Sequence, residues 1–356
     1  MNILLITDLY PLKKDKSIPL AIKHFVLAFK ELNYNISVIR PNFILNSLIR
    51  KHKIFKEGIY CEDGIKIYNK NFYLPFLNDD ISFLEEKFDL IISHMPSGNI
   101  YADLINKKLK LKHISILHQS DKTVLNNFKY SFYFKKRLNS ALKNSDLIGV
   151  RNKFLYSNYD FILPSFVEKS MILNNKEINS NEKLKIITLS KLIKRKNIDL
   201  VINALSKANF DFEYSIYGDG KEEKKLKNLI KKYNLENKIK IYPQINHENV
   251  YEKLDENDVF ILPSINETFG LSYIEAFSRG LITVGIKNTG IDGFIQNKEN
   301  GFLINPNEDE ILKTLEEINN LNKEKIFNKT LENARNFEKE KIMTKYVENI
   351  KKILWK

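Results

Sequence analysis

The sequence predicts an α/β protein made of two consecutive βαβ domains with a cleft between them. Three observations lead there. Short apolar runs of strand length alternate with stretches of helical apolar spacing, a pattern that builds parallel sheets covered on both faces. The series runs twice, on either side of a polar stretch from Asn174 to Glu182 that reads as a linker. A chain of 356 residues also exceeds what one core holds. The boundaries expected are 1–170 for the first domain, 171–337 for the second and 338–356 for a final helix.

Taken in order, the first series opens with strands at Ile3–Thr7, Ile36–Ile39, Ile65–Tyr68, Leu90–Ser93, Ile114–Leu117 and Leu147–Val150. Ala21, Phe25, Ala28, Phe29 and Leu32 form an apolar stripe at helical spacing after the first strand. The second series has strands at Lys185–Ser190, Glu213–Tyr217, Lys238–Tyr242, Val259–Leu262 and Leu281–Gly285. Its helices start near Ile198, Lys221 and Gly270. Ile198, Val201, Ile202 and Leu205 repeat at i, i+3, i+4 and i+7, as do Leu226, Leu229, Ile230 and Tyr233. The last helix carries Met343, Tyr346, Val347, Ile350 and Leu354 on one side, and sequence leaves open which domain it packs on.

Composition narrows the function classes. The single cysteine, Cys61, excludes an internal disulfide. The amino-terminal run Met1–Asp8 has no basic lead and reads as a strand, not a signal peptide. No window is long and apolar enough to span a bilayer. Residues 1–168 carry 25 Lys/Arg against 16 Asp/Glu, and residues 169–356 carry 32 against 28. The basic first half suits an anionic surface or acceptor. A nicotinamide oxidoreductase needs a Gly-x-Gly-x-x-Gly turn after its first strand, whereas the first glycine here is Gly58. No nucleic-acid-binding module is recognisable, so a nucleic-acid partner is not expected.

Residues 264–277, Ser-Ile-Asn-Glu-Thr-Phe-Gly-Leu-Ser-Tyr-Ile-Glu-Ala-Phe, carry the most chemistry. A strand stops at Pro263, a polar loop follows, and a helix starts near Gly270. The first N–H groups of a helix lack internal partners and favour an anion. Glu267 and Glu275 flank the turn, and carboxylates accept hydrogen bonds from paired hydroxyls. This suits a molecule with a phosphate in the middle and hydroxyls on either side, as in a nucleotide sugar. Glu275 is assigned to the ribose and Glu267 to the sugar ring. Of the six residues from Lys191 to Lys196, four are cationic, between a strand end and a helix. One such cation at ~4 Å from a diphosphate gains about 4 kcal/mol at an effective dielectric near 20, before desolvation. Tyr217-Gly218-Asp219-Gly220 ends another strand with a tight turn and bare backbone.

In this order the pieces resemble the retaining glycosyltransferases of family 4, which have the GT-B fold of two Rossmann-like domains. The similarity covers most of the chain and is strongest from about 185 to 305. The family's opening of the second domain matches Ser190-Lys191-Leu192 and Lys196-Asn197. Its Gly-x-Gly matches Gly218 and Gly220, and its paired glutamates match Glu267 and Glu275. Its later Gly-rich turn and hairpin match Thr289–Gly293 and Asn300–Ile304. The resemblance implies that Lys191 and Lys196 hold the donor diphosphate, with Ser190, Gly218 and Gly220 beside it. It implies that the N–H groups of Phe269, Gly270 and Leu271 face the sugar and the distal phosphate. It also carries over His118 as a hydrogen-bond partner of the transferring sugar, while His94, after Leu90–Ser93, resembles another family position. Two departures stand out. Many members have a Gly-Gly pair in the first loop where this chain has Lys16-Ser17-Ile18-Pro19, and the usual arginine is Lys191, a point charge in place of a fork.

The expected enzyme is therefore a retaining glycosyltransferase that needs no metal and no other cofactor. The cations and the helix start neutralise the departing diphosphate, and Asp79-Asp80 reads as two solvated acids. The alternatives are a sugar-phosphate synthase or a nucleotide-sugar hydrolase with the same donor site, or a nucleic-acid-binding protein. The partners expected are a nucleotide-diphosphate sugar and a glycan or lipid-linked acceptor of cell-surface polysaccharide or lipopolysaccharide synthesis. The placement expected is cytoplasmic, with peripheral contact on the inner face of an anionic membrane through the basic, aromatic stretches 42–56 and 126–142.

Overall fold

The computed structural model describes residues 1–12, 20–43, 56–72, 79–126, 132–176 and 183–355. The first-loop residues Ser17, Ile18 and Pro19 lie outside the described residues. So do 44–55 and 127–131 of the two basic stretches and 177–182 of the polar stretch. The chain forms two compact units, Met1–Leu163 with Met343–Lys356, and Pro164–Ile342. The division falls earlier than residue 170.

In the first unit the strands are β1 (Asn2–Ile6), β2 (Asn35–Phe43), β3 (Gly58–Glu62), β4 (Ile65–Phe72), β5 (Leu90–His94), β6 (Lys112–Leu117), β7 (Leu147–Val150) and β8 (Phe161–Ile162). They form one sheet in the order β3-β4-β2-β1-β5-β6-β7-β8. Every pairing is parallel except β3 with β4. β3 and β8 escape a reading from apolar runs. β3 lies at the sheet edge and is largely exposed, so it carries no buried stripe. β8 is two residues long.

The final helix, Lys339–Leu354, ends in this unit. Tyr346 lies edge-on to Phe25 at 6.1 Å, with Phe29 and Phe161 at 5.2 and 5.7 Å. Phe25 and Phe29 come from the stripe of the helix Ala21–Glu31. The two apolar faces read from sequence are therefore each other's partners.

The second unit holds β9 (Leu184–Leu189), β10 (Phe212–Tyr217), β11 (Ile239–Tyr242), β12 (Val259–Ile261), β13 (Ile282–Ile286) and β14 (Gly301–Ile304). All pairings are parallel, in the order β11-β10-β9-β12-β13-β14. Both faces are covered. Ile186, Val259 and Ile261 enter one core cluster, while Ile187 and Phe260 enter the other. That explains why these strands read as unbroken apolar runs. Residues 300–304 do not form the expected hairpin. Gly301–Ile304 pairs in parallel with β13, because its buried residues need a sheet neighbour with both faces covered.

The strand order reverses between β9 and β12. In an open parallel sheet, the loops leaving the carboxyl ends of the two strands at such a reversal diverge to opposite faces and open a crevice. Those loops are 190–197 and 262–270, the two segments that carried the most chemistry in the sequence.

Candidate active site

The loop after β9 crosses the loop after β12. The Arg195 carbonyl accepts from Ile265 N–H at 3.0 Å, and Asn197 Nδ2 donates to the Pro263 carbonyl at 2.9 Å. Asn197 sits at φ 53°, a left-handed position that asparagine tolerates, and starts the helix Ile198–Leu205. The crossing brings three side-chain donors onto one oxygen of Glu267. Lys196 Nζ donates to Glu267 Oε2 at 2.5 Å, Arg195 Nη1 at 3.2 Å and Ser264 Oγ at 2.9 Å. Among the described residues no donor is placed on Oε1. The cluster of two cations and one carboxylate keeps a net positive charge.

Burial sets the electrostatics. It pushes Glu267 upward, but the charges of Lys196 and Arg195 and the bonds from Lys196 and Ser264 outweigh it, so the carboxyl stays below its ordinary range. Burial lowers Lys196, Glu267 opposes that, and Arg195 adds to it. Lys196 is 8% exposed, whereas Lys191 is exposed at the start of the loop.

The glycines fix how the loops pack. A Cβ at Gly218 would stand 1.8 Å from the Ser190 carbonyl oxygen, and one at Gly220 would stand 2.2 Å from that of Leu192. The turn after β10 thus lies flat on 190–192, with Leu192 N–H donating to the Asp219 carbonyl at 2.9 Å. Their role is closer contact between two loops, in addition to the tight turn. Gly290 does the same on the other side. Its N–H donates to the Glu267 carbonyl at 3.1 Å, and a Cβ there would meet Phe269 Cα at 2.6 Å.

Gly270, at φ 84°, starts the helix Leu271–Ser278. The Phe269 ring points into the core against Phe294 and Phe337. Only backbone of Phe269 is therefore offered at the helix start. Glu275, 5% exposed, accepts from His247 Nε2 at 2.9 Å.

His118 belongs to the first unit and directly follows β6. Its Nε2 lies 3.1 Å from His94 Nδ1, at the end of β5. Burial, then His94 and Arg151, hold His118 well below its ordinary value. Burial, then Arg151, push His94 down to about 3. Both rings are neutral near pH 7, so one donates and the other accepts. Asp121 Oδ2 accepts from the His118 N–H at 2.8 Å, and Asn99 Nδ2 donates to Oδ1 at 2.9 Å.

The structure thus brings Lys196, Glu267 and Ser264 together. It packs Ser190, Gly218 and Gly220 as one layer, and sets Glu275 and the start of Leu271–Ser278 on the adjacent helix. Sequence reasoning gave no individual role to Arg195 or His247. Arg195 was visible only as one of four cations. His247 follows a strand and precedes a helix, the same loop position as the other site residues, and that position was the available signal. The Asp79 carboxylate accepts from Lys108 Nζ at 3.0 Å, and Asp80 from Ser82 N–H at 2.9 Å. Among the described residues no group of three or more His, Cys, Asp or Glu side chains is arranged to hold a metal ion. No helix among them is long and apolar enough to cross a membrane.

Two α/β sheets in tandem, the first parallel but for one edge pair and the second wholly parallel, have the architecture of the GT-B fold. Residues 172–340 match the family described as glycosyl transferases group 1, and the chain is a glycosyltransferase of the GT-B fold. It is 28% identical over 247 residues to an uncharacterized glycosyltransferase of Methanocaldococcus jannaschii, covering 66% of this chain and 67% of that one. It is 26% identical over 287 residues to the GtfA subunit of the UDP-N-acetylglucosamine–peptide N-acetylglucosaminyltransferase of Streptococcus agalactiae. That match covers 70% of this chain and spans 56% of the relative's length. The crystal structure of Anabaena HepE in complex with UDP shares the fold, with a TM-score of 0.75, 15% identity, and coverage of 99% of this chain and 100% of that one.

Proposed function

We propose that the protein transfers a sugar from a nucleotide-diphosphate donor to a hydroxyl of a glycan or lipid-linked acceptor, with retention at the anomeric carbon. The observation that carries this reading is the convergence of Lys196, Arg195 and Ser264 on Glu267 Oε2, with Oε1 left to accept from a sugar hydroxyl. The similarity to the Streptococcus agalactiae subunit of a UDP-N-acetylglucosamine–peptide N-acetylglucosaminyltransferase supports a nucleotide-sugar donor.

In this reading the diphosphate lies along 190–196 and against the start of Leu271–Ser278. Lys191 and the net positive Lys196–Arg195–Glu267 cluster stabilise charge growing on the departing diphosphate. The Glu275 carboxylate accepts from the ribose hydroxyls, and Glu267 from the transferred sugar. His118 keeps its Nδ1 for a sugar hydroxyl. No carboxylate is assigned as a nucleophile. The acceptor attacks from the face the nucleotide leaves, and a donor phosphate oxygen takes its proton. The protein supplies this stabilisation itself, so activity is proposed to persist without a divalent metal.

Peripheral contact with an anionic membrane is proposed through the helix Phe132–Asn144. Phe132 is 81% exposed, and the Arg137 guanidinium lies 5.2 Å over the Tyr133 ring. Sedimentation with liposomes that shows no dependence on anionic lipid would remove that part. The enzymatic reading is tested by incubation with UDP-, GDP- and ADP-sugars and acceptor, followed by NMR of the product. Retained anomeric configuration is expected. An inverted product, or free sugar from hydrolysis alone, contradicts it.

A further inference from the structure

The carboxylate of Glu275 is nearly closed off from solvent, yet its one side-chain donor among the described residues comes from a different element. The His247–Asn249 turn follows β11 and leads into the helix Val250–Asp255, which Val250 and Leu254 anchor in the core. From that anchored turn, His247 Nε2 reaches Glu275 Oε1 at 2.9 Å. The Tyr251 ring, one turn later, stands perpendicular to the imidazole with centroids 5.9 Å apart, which limits how the imidazole tilts. The His247 side chain is 39% exposed while that of Glu275 is 7% exposed. The histidine therefore covers part of the carboxylate at Oε1.

We propose that His247 is a positioning residue for nucleotide recognition, fixing the Glu275 carboxylate so that its remaining acceptor positions meet a vicinal diol. The inference deepens the ribose role proposed for Glu275 and rests on it. Oε1 has two lone pairs, and His247 occupies one, so one position on Oε1 and those on Oε2 remain for two hydroxyl donors. A carboxylate held by one N–H loses less freedom when a diol docks than one free to rotate. The N–H also draws charge away from a carboxylate that must sit near a diphosphate. Hydrogen bonding to Glu275, with burial opposing it, holds the imidazole above its ordinary range, so a donor proton on Nε2 is favoured.

The test compares UDP, GDP and ADP, each with its 2′,3′-dideoxy form, by calorimetry on the full chain. The pair with the tightest ribonucleotide is then carried through the variants. Wild type should prefer the ribonucleotide. His247→Ala should shrink that preference about tenfold, the scale of one hydrogen bond to a charged group, with the dideoxy form losing less affinity than the ribonucleotide. His247→Gln, whose amide still donates near the Nε2 position, should restore most of the preference, which a purely structural role would not produce. Glu275→Ala should abolish the preference. A preference unchanged in His247→Ala but lost in Glu275→Ala overturns this inference alone. A preference unchanged in both variants, or no binding of any nucleotide, overturns the ribose reading and the inference with it.

Discussion

Lys196 and Glu267 are 71 residues apart in the chain, yet their side chains meet at 2.5 Å with about a tenth of each exposed. The pair exists because β9 and β12 are neighbours at the strand reversal and their loops cross. It ties the stability of the loops to the electrostatics of the site.

Glu267→Ala leaves the Lys196 ammonium in a poorly solvated place, beside the more exposed Arg195. The expected loss is about 3–5 kcal/mol, the range for breaking a buried pair by removing one partner. Lys196→Ala should cost less, since Arg195 and Ser264 still hold the carboxylate. The double variant should lose less than the sum of the two single losses. Urea unfolding of the four proteins checks this. A loss below about 1 kcal/mol for Glu267→Ala, the worth of an exposed pair, contradicts it.

Gly218→Ala and Gly220→Ala force a methyl group against backbone carbonyls at 1.8 and 2.2 Å. Neither carbonyl can swing aside as a flexible side chain would. Each variant should lose about 3 kcal/mol or more, at the upper end of overpacking costs, and shift 190–192. Thermal unfolding, with donor titration on the folded fraction, reads both effects. Wild-type stability and affinity in either variant would rule out the flat packing of these loops.

Tyr346 joins the final helix to the first unit and is 1% exposed. Its hydroxyl is buried with no hydrogen-bond partner among the described residues. Tyr346→Ala should cost about 3–5 kcal/mol, as for other large aromatic truncations. Tyr346→Phe should be neutral or stabilising, because it removes an unsatisfied polar group. Thermal unfolding separates the two, and a Phe variant weaker than wild type contradicts the account.

The first unit should be most stable near pH 6.5. Burial first pushes His94 to about 3 and His113 to about 4, and holds His118 well below its ordinary value. Burial also pushes Asp121 up to about 8. Between pH 4 and 6.5 the unfolded chain takes up protons on three imidazoles that the folded chain leaves bare. Folded Asp121 keeps one proton that the unfolded chain releases. The unfolded state therefore binds more protons there, and stability rises with pH. From about 6.5 to 8 the imidazoles are neutral in both states and Asp121 alone counts. The folded state then binds more, and stability falls. Each unmatched proton is worth about 1.4 kcal/mol per pH unit. Hydrogen exchange at β5 and β6 under mild urea from about pH 5 to 8 follows it, and a steady rise through that range contradicts it.

Much of this was legible in the chain. Strands buried on both faces, such as Val259–Ile261, announce themselves as apolar runs, and Leu271–Ser278 announces itself by the loop and glycine before it. The paired glutamates and the cationic loop were found because local order, strand then loop then helix, is written in consecutive residues. What stayed hidden depends on contacts between distant segments. Nothing near Arg195 in sequence points to Glu267, and nothing near His247 points to Glu275. The glycines at 218 and 220 read as a turn because the carbonyls they accommodate belong to another loop. β3 stayed hidden because an exposed edge strand needs no apolar stripe, and the hairpin at Asn300–Ile304 was implied by the resemblance, whereas Gly301–Ile304 pairs in parallel with the preceding strand, β13.

The most direct measurement is a crystal structure of the protein with a nucleotide-diphosphate sugar that binds in the calorimetric screen. The diphosphate is expected within hydrogen-bonding distance of Lys191 or Lys196, the ribose hydroxyls on Glu275, and a sugar hydroxyl on Glu267 Oε1. A donor bound away from residues 190–196 and 267–275 contradicts it.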